Sequence, residues 1–408
     1  MKKHSMSLTL SALALTLIAA ITSCTPFSGS SEPRNQGIAP TEMPTEAPTQ
    51  SAEEKALEKM SLEQKAAQTI VAGLTGTEVD ENFKALADKG LGGAILFSDN
   101  ITDSSQLVKL TNQIKACAGE IPIMIAMDEE GGAVTRLPDD VLSMPSAYSI
   151  AGVGSAEYAN RAGQNLGSQI TAFGLSTGFS PDLDIWSNPD NTVIGSRAYG
   201  TTAEEVCTYG IEALKGIMST GAIAVAKHFP GHGDTEVDSH YGLPVVTKTK
   251  SELEQSELKP FKEAIANNIP GIMAAHILCS ELDPDNPASL SKAIVTDLLK
   301  GELGFNGVVF TDDLTMGAIS EQYTTDEAAV KALNAGCDML LVCFEYENAE
   351  NTIDAIVSAV ESGTLSEERL DDAVLRILRM KNTCNVNSEQ IKEPDIEAMN
   401  AKTAEFLE

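Results

Sequence analysis

Residues 227 to 244 read Lys-His-Phe-Pro-Gly-His-Gly-Asp-Thr-Glu-Val-Asp-Ser-His-Tyr-Gly-Leu-Pro, and from Lys227 to His240 they hold one Lys, three His and two Asp. Groups of these types can transfer protons near neutral pH, ligate a metal or hold a polar ligand. The interspersed Gly and Pro forbid a continuous helix. The preceding apolar run, 221–226, predicts a short buried strand. The titratable groups are therefore expected on a loop leaving a strand end, where enzymes built on parallel sheets carry their chemistry. His228 and His232 stand four apart, as in a helical zinc pair, but Pro230 and Gly231 rule out that helix. Asp234, Asp238 and His240 stay open as loop ligands for a divalent cation. Ser239 lacks the Gly-x-Ser-x-Gly elbow of a serine hydrolase.

A second apolar run ends in two acids, Val308-Val-Phe-Thr-Asp-Asp-Leu-Thr-Met316. Asp312 and Asp313 read either as reactive carboxylates at a strand end or as caps of the next helix. Two further segments carry polar groups suited to hydroxyl-rich ligands. In Asp128-Glu-Glu-Gly-Gly-Ala-Val-Thr-Arg136, Asp128 can accept hydrogen bonds and Arg136 can donate them. Asn191-Thr-Val-Ile-Gly-Ser-Arg197 brings another guanidinium. Taken singly, each Arg or Lys reads equally well as half of a surface ion pair. His276, at the end of another apolar run, reads as a satisfied core residue or as part of a pocket wall.

Positioning these groups falls to a repeating pattern. Eight apolar, strand-like runs occur at 69–72, 93–97, 121–127, 176–180, 222–226, 271–275, 308–310 and 339–343. Amphipathic helical patterns alternate with them, at 104–118, 156–173, 203–219, 251–267, 292–303 and 325–335, and a last helix is expected over 366–381. Ser51-x-x-Glu54 and Ser61-x-x-Gln64 fit capping boxes at the start. Alternation of this kind predicts an α/β fold with a parallel sheet, and eight units predict a (β/α)8 TIM-type barrel as a single catalytic domain. A doubly wound open sheet is the alternative. No glycine-rich dinucleotide or P-loop signature follows any run.

The motifs, taken in order, resemble the β-N-acetylglucosaminidase branch of glycoside hydrolase family 3. The resemblance spans roughly residues 61–381 and rests on the Lys-His-Phe-Pro-Gly-His-Gly…Asp-Ser-His stretch, the Asp128–Arg136 element, the Val193-Ile-Gly-Ser-Arg197 segment and the Thr311-Asp-Asp313 strand end. It implies an enzyme that removes terminal N-acetylglucosamine with retention of configuration. Asp312 matches the nucleophile, His240 the acid/base and Asp238 the partner that tunes it. Asp128, Arg136, Arg197, Lys227 and His228 match substrate-binding groups. It implies no cofactor and no metal. Ala133 departs from the pattern, where Arg is common. The Asp-Ser-His spacing would set both side chains on one side of an extended segment, and the carboxylate would raise the His pKa. Rival readings are a β-glucosidase or β-xylosidase of the same family, a sugar-binding lipoprotein, and a metal-dependent barrel hydrolase. Hydrolysis and phosphorolysis both stay open.

Flanking segments speak to location. Lys2 and Lys3 precede an apolar run, 8–21, that is too short to span a bilayer as a helix and ends in Ile21-Thr-Ser-Cys24. Residues 1–23 are expected to be a lipoprotein signal peptide and Cys24 the lipidated residue. Residues 24–51, rich in Pro, Thr and Ser, read as a disordered tether. The catalytic domain is expected over 52–384 and an acidic tail over 385–408. The protein is expected outside the cytoplasm, at the cell surface or in the periplasm, touching the membrane through its lipid alone. A net charge of −31 argues against nucleic-acid partners and leaves a neutral carbohydrate compatible. The six Cys after Cys24 show no disulfide framework. Cys24→Ala is expected to move the protein from the membrane to the soluble fraction with activity retained; a wild type already soluble at full length would exclude the anchor.

Overall fold

The computed structural model describes residues 50–235, 239 and 242–408. Cys24, the tether up to residue 49, Asp238 and His240 lie outside the described residues. Seven strands form one sheet: β1 (Ile70–Gly73), β2 (Gly93–Leu96), β3 (Met124–Met127), β4 (Val225–Phe229), β5 (Gly271–Ala274), β6 (Val308–Asp313) and β7 (Met339–Val342). Their spatial order is β3-β2-β1-β7-β6-β5-β4, and every pairing is parallel.

The expected fourth run, 176–180, is not a regular strand. Phe179 has φ of +42° and Pro181 has no amide hydrogen, so the ladder is interrupted. The segment nevertheless fills the gap between β3 and β4. Thr177 and Gly178 accept amides of Met127 (3.2 Å) and Glu129 (2.9 Å) on one side; Ser180 accepts that of Val225 (2.9 Å) on the other. The curled sheet thereby closes as a (β/α)8-type barrel, and the open doubly wound alternative falls away. β4 also begins three residues later than the apolar run predicts. Lys227 and His228 are therefore strand residues, not loop residues.

Inside the barrel the side chains follow the period of two that a strand imposes. Val71, Ile95, Met124 with Ala126, Val225, Val308 with Phe310, and Met339 with Leu341 pack together as an apolar plug. Phe179 joins it through an edge-to-face contact with Phe310, ring centroids 5.5 Å apart. The other strand faces pack on the outer helices. Ser51 and Ser61 form both expected capping boxes. None of the described helices is long and apolar enough to cross a membrane. The six described cysteines are free, as the sequence pattern predicts.

The acidic tail is packed against the barrel domain. Its helix, Ile396–Leu407, stacks Phe406 on Tyr158 with centroids 4.3 Å apart, and Arg161 lies over the same ring. Asn400 bonds the Leu142 amide and the Asp140 carbonyl. Phe406→Ala is expected to lower the unfolding free energy in urea by about 3 kcal/mol, and Leu407→Ala, on the exposed side, by no more than about 0.5 kcal/mol. Equal, small effects would mean that the tail contributes no stability.

Candidate active site

Continuing each inward stripe by two residues gives the polar layer above the plug. Met124 and Ala126 lead to Asp128, Ile223 and Val225 to Lys227, and Phe310 to Asp312. All three sit at the C-terminal strand ends, the side of a barrel where catalysis is built. Lys227 is the centre of the layer. Only 2% of it is exposed, and its Nζ lies 2.8 Å from Asp128 Oδ1 and 2.6 Å from Glu130 Oε1. Arg197 grips the same Glu130 with two parallel bonds of 2.8 Å, the bidentate geometry that suits a guanidinium.

Arg197 reaches this position from a short 3-10 turn, Gly195–Arg197. Asn191 holds the turn by accepting the amides of Val193 and Ile194, and its own amide donates to the His232 carbonyl at 2.9 Å. The Arg197 loop and the loop after β4 are thus tied together. Gly233 lets them approach, because a Cβ there would stand 1.9 Å from the Ile185 carbonyl oxygen. Asp184 clamps the same segment. Its carboxylate lies 2.6 Å from His228 Nδ1 and accepts the His232 amide at 2.5 Å.

Charge and burial set the protonation of these groups. Burial opposes ionisation of Glu130, but Arg197 and Lys227 outweigh it and hold the carboxyl well below the usual range. Burial also disfavours the Lys227 ammonium, yet Asp128 and Glu130 overcome this and raise its pKa. Burial, aided by Arg197, pulls His228 down to about 4. The neutral ring then donates from Nδ1 to Asp184, while Nε2 accepts from Arg197 Nη2 at 3.3 Å. Asp182 is pushed up to about 8, by burial first and by neighbouring Asp184 second. Its Oδ2 is buried without a hydrogen-bond partner and lies 3.6 Å from Arg197 Nε.

Asp312 differs from its neighbours. It remains partly open at the barrel mouth and, among the described residues, accepts one hydrogen bond, from the Asp313 amide at 2.9 Å. Burial on its other sides pushes its pKa up; His276, His228, the Asp313 amide and Lys227 together bring it below the usual value. Because both imidazoles are themselves held low, Lys227 supplies the permanent positive charge at neutral pH. Asp313 is structural: it accepts from Thr315 and from the Cys343 amide, tying β6 to β7. His276 is fully buried, with Nδ1 on Ser289 and Nε2 donating to the Asp313 carbonyl at 2.9 Å, so it supports the strand end from behind.

The structure therefore joins Asp128, Lys227, His228, Arg197 and the open carboxylate of Asp312 in one mouth. Arg136 makes no hydrogen bond to this group among the described residues: its guanidinium bonds the Thr135 carbonyl, and its amide donates to Glu129. Of the expected acid/base segment only Ser239 is described. It is buried and its carbonyl accepts the Ala318 amide at 3.1 Å, six residues beyond Asp312. Sequence reading passed over Glu130, Asp182 and Asp184. The available signal was Asp182-Leu-Asp184 directly after the fourth apolar run, at the same spacing as Asp238-Ser-His240. Asp182, Asp184 and His228 also place donor atoms within 4.8 Å of one another, the described group best arranged for a cation. His228 Nδ1 is already engaged there, and Arg197 stands beside it.

Holding a proton that the unfolded chain would release links Asp182 to stability. Its folded pKa of about 8 exceeds the ordinary 3.8, so the stabilisation is complete below about pH 4 and is lost as pH rises through 8. Asp182→Asn, which mimics the protonated carboxyl, is expected to match the wild-type melting temperature near about pH 3.5 and to exceed it increasingly as pH rises toward about 9. Parallel melting profiles would show Asp182 ionised throughout.

Comparison with known proteins places this geometry. Residues 61–380 match the model of the glycosyl hydrolase family 3 N terminal domain. The chain is 34% identical over 325 residues to a beta-hexosaminidase of Idiomarina loihiensis, covering 78% of this chain and 94% of that one. It is 34% identical over 317 residues to beta-hexosaminidase A of Pseudoalteromonas piscicida, covering 71% of this chain but only 53% of that longer protein. Among solved structures it is similar to a glycoside hydrolase family 3 beta-N-acetylglucosaminidase from Paenibacillus sp. str. FPU-7, with 40% identity, TM-score 0.80, and coverage of 85% of this chain and 68% of that one.

Proposed function

The chain belongs to glycosyl hydrolase family 3 and is a glycosidase acting on a carbohydrate, and from that premise we propose that it is a retaining exo-β-N-acetylglucosaminidase. Its proposed substrates are glycans derived from peptidoglycan, with terminal non-reducing N-acetylglucosamine. It is proposed to work outside the cytoplasm, anchored through Cys24. The observation that carries the catalytic reading is the pairing of a carboxylate unpaired among the described residues, Asp312, with an array of hydrogen-bonding and charged groups in one barrel mouth.

The division of labour follows from that array. Asp128 can accept hydrogen bonds from ring hydroxyls on the carboxylate oxygen left free by Lys227, while the ammonium and the Arg197 guanidinium donate. Held in this way, the anomeric carbon is presented to Asp312. Its low pKa keeps Asp312 ionised, as a nucleophile needs. Attack forms a glycosyl ester and breaks the bond to the leaving oxygen, which takes a proton from His240. In the second step His240 removes a proton from water, water attacks the ester carbon, and Asp312 departs. Asp238 would favour the imidazolium before the first step. Support for this placement comes from Ser239, which lies between the two and whose carbonyl is bonded beside the helix that follows the nucleophile.

A 4-nitrophenyl β-N-acetylglucosaminide is expected to be cleaved much faster than the matching β-glucoside, with no loss on adding a chelator. Equal rates would favour a β-glucosidase, and activity dependent on added metal would favour a role for the Asp182, Asp184 and His228 group. Asp312→Ala should abolish ester formation, and a slow 5-fluoro donor should label wild-type Asp312; a label elsewhere would overturn the nucleophile. His240→Ala is expected to cost about 10²–10⁴-fold, with a smaller loss on substrates bearing good leaving groups. A deficit independent of the leaving group would remove His240 from the acid/base role.

A further inference from the structure

Beside the hydroxyl-binding groups, the barrel mouth carries an apolar feature that the mechanism above leaves unused. Phe97 follows β2 and Phe344 follows β7, so both lie at the C-terminal ends of their strands. Their rings are stacked, with centroids 5.5 Å apart and planes inclined by 18°. Phe97 continues the inward stripe from Ile95 and packs on the barrel plug. Phe344 stacks above it and is 57% exposed, more than any other large apolar residue among those described.

The pair is continuous with the catalytic groups. β7 is hydrogen-bonded to β6, which carries Asp312, and β2 to β3, which ends beside Asp128. Cys343, one residue before Phe344, donates its amide to Asp313, and its thiol lies within the fields of Asp313, Asp128 and Asp312. The segment is also fixed on its far side. Asn348 donates to the Phe344 carbonyl, and Tyr346 Oη accepts the Thr75 amide at 2.9 Å. Between these ties Glu345 has φ of +62°, a conformation non-glycine residues adopt only when their surroundings impose it. The exposed ring is thus carried on a backbone hydrogen-bonded on both sides.

We propose that Phe344, supported from beneath by Phe97, is the stacking platform for the leaving-group sugar, so that the site binds at least two pyranose rings. This rests on the glycosidase reading above and assigns the second ring its place. The chemistry fits a sugar in particular. A pyranose presents one face of C–H bonds, whose slight positive charge complements the negative face of an aromatic ring. The polar groups of the first subsite could not supply such a contact.

The test compares kcat/KM for an N-acetylglucosamine disaccharide with that for β-N-acetylglucosaminyl fluoride, whose leaving group is too small to reach the platform. Phe344→Ala is expected to lower the disaccharide-to-fluoride ratio by about 2- to 10-fold, and Phe344→Trp to restore it. An unchanged ratio in Phe344→Ala, or a Trp variant that behaves like Ala, overturns the platform. So does an equal fall in the ratio for a hexyl glycoside, which would make the contact a general apolar one. The same ratio is read on cellobiose and glucosyl fluoride. Cleavage of that pair alone would overturn the N-acetylglucosaminide reading, while the ratio still decides the platform.

Discussion

Charge balance in a nearly dry space is the constraint on which the upper half of the barrel depends. Lys227 and Arg197 are permanent cations removed from most of their water, a loss that several kcal/mol of attraction must offset. Glu130 satisfies both at once, and Asp128 takes the remaining reach of Lys227. Two cations cannot neutralise Asp128, Glu130, Asp182, Asp184 and Asp312 together. Part of that excess is relieved by keeping a proton on Asp182, and His228 stays neutral because it is buried and stands beside Arg197. The low pKa of Asp312 belongs to the same balance: its carboxylate is stabilised by Lys227 and by the Asp313 amide, and it forms no ion pair among the described residues.

The fold meets this demand with few specialised devices. β3, β4 and β6 deliver Asp128, Lys227 and Asp312, because alternation turns every second residue inward and the apolar layers beneath fix the height at which the polar layer begins. The interlocked loops supply what strands cannot. Asn191, Asp184 and Gly233 hold the Arg197 turn against the segment after β4, so positioning rests on backbone contacts and not on long flexible side chains. His276 and Asp313 do the same behind Asp312.

Most of this architecture was legible in the residues. The apolar runs marked seven strands because a strand buried on both faces must be apolar throughout. The run at 176–180 was located correctly, but its backbone departs from a strand at Phe179 and Pro181, a conformational fact that hydrophobicity does not encode. Lys227 and His228 were placed on a loop because charged residues argue against a buried strand, and here a tertiary ion pair overrides that preference. The same reason hid Glu130 and Asp184. Motif resemblance pointed to groups that touch a ligand, whereas these acids touch the groups that do. Arg136 shows the converse, a residue at a motif position whose guanidinium, among the described residues, bonds only the Thr135 carbonyl.

The apolar plug has a consequence for traffic. Val71, Ile95, Met124, Phe179 and Phe310 fill the barrel below the polar layer, so it is not a pore and has one door. Whatever enters must leave by the way it came. Under the proposed two-step displacement, the first product would have to leave by that door before water could reach the ester. On that reading, a ring that lingers at the threshold would delay the next molecule of water, however ready the ester beneath it.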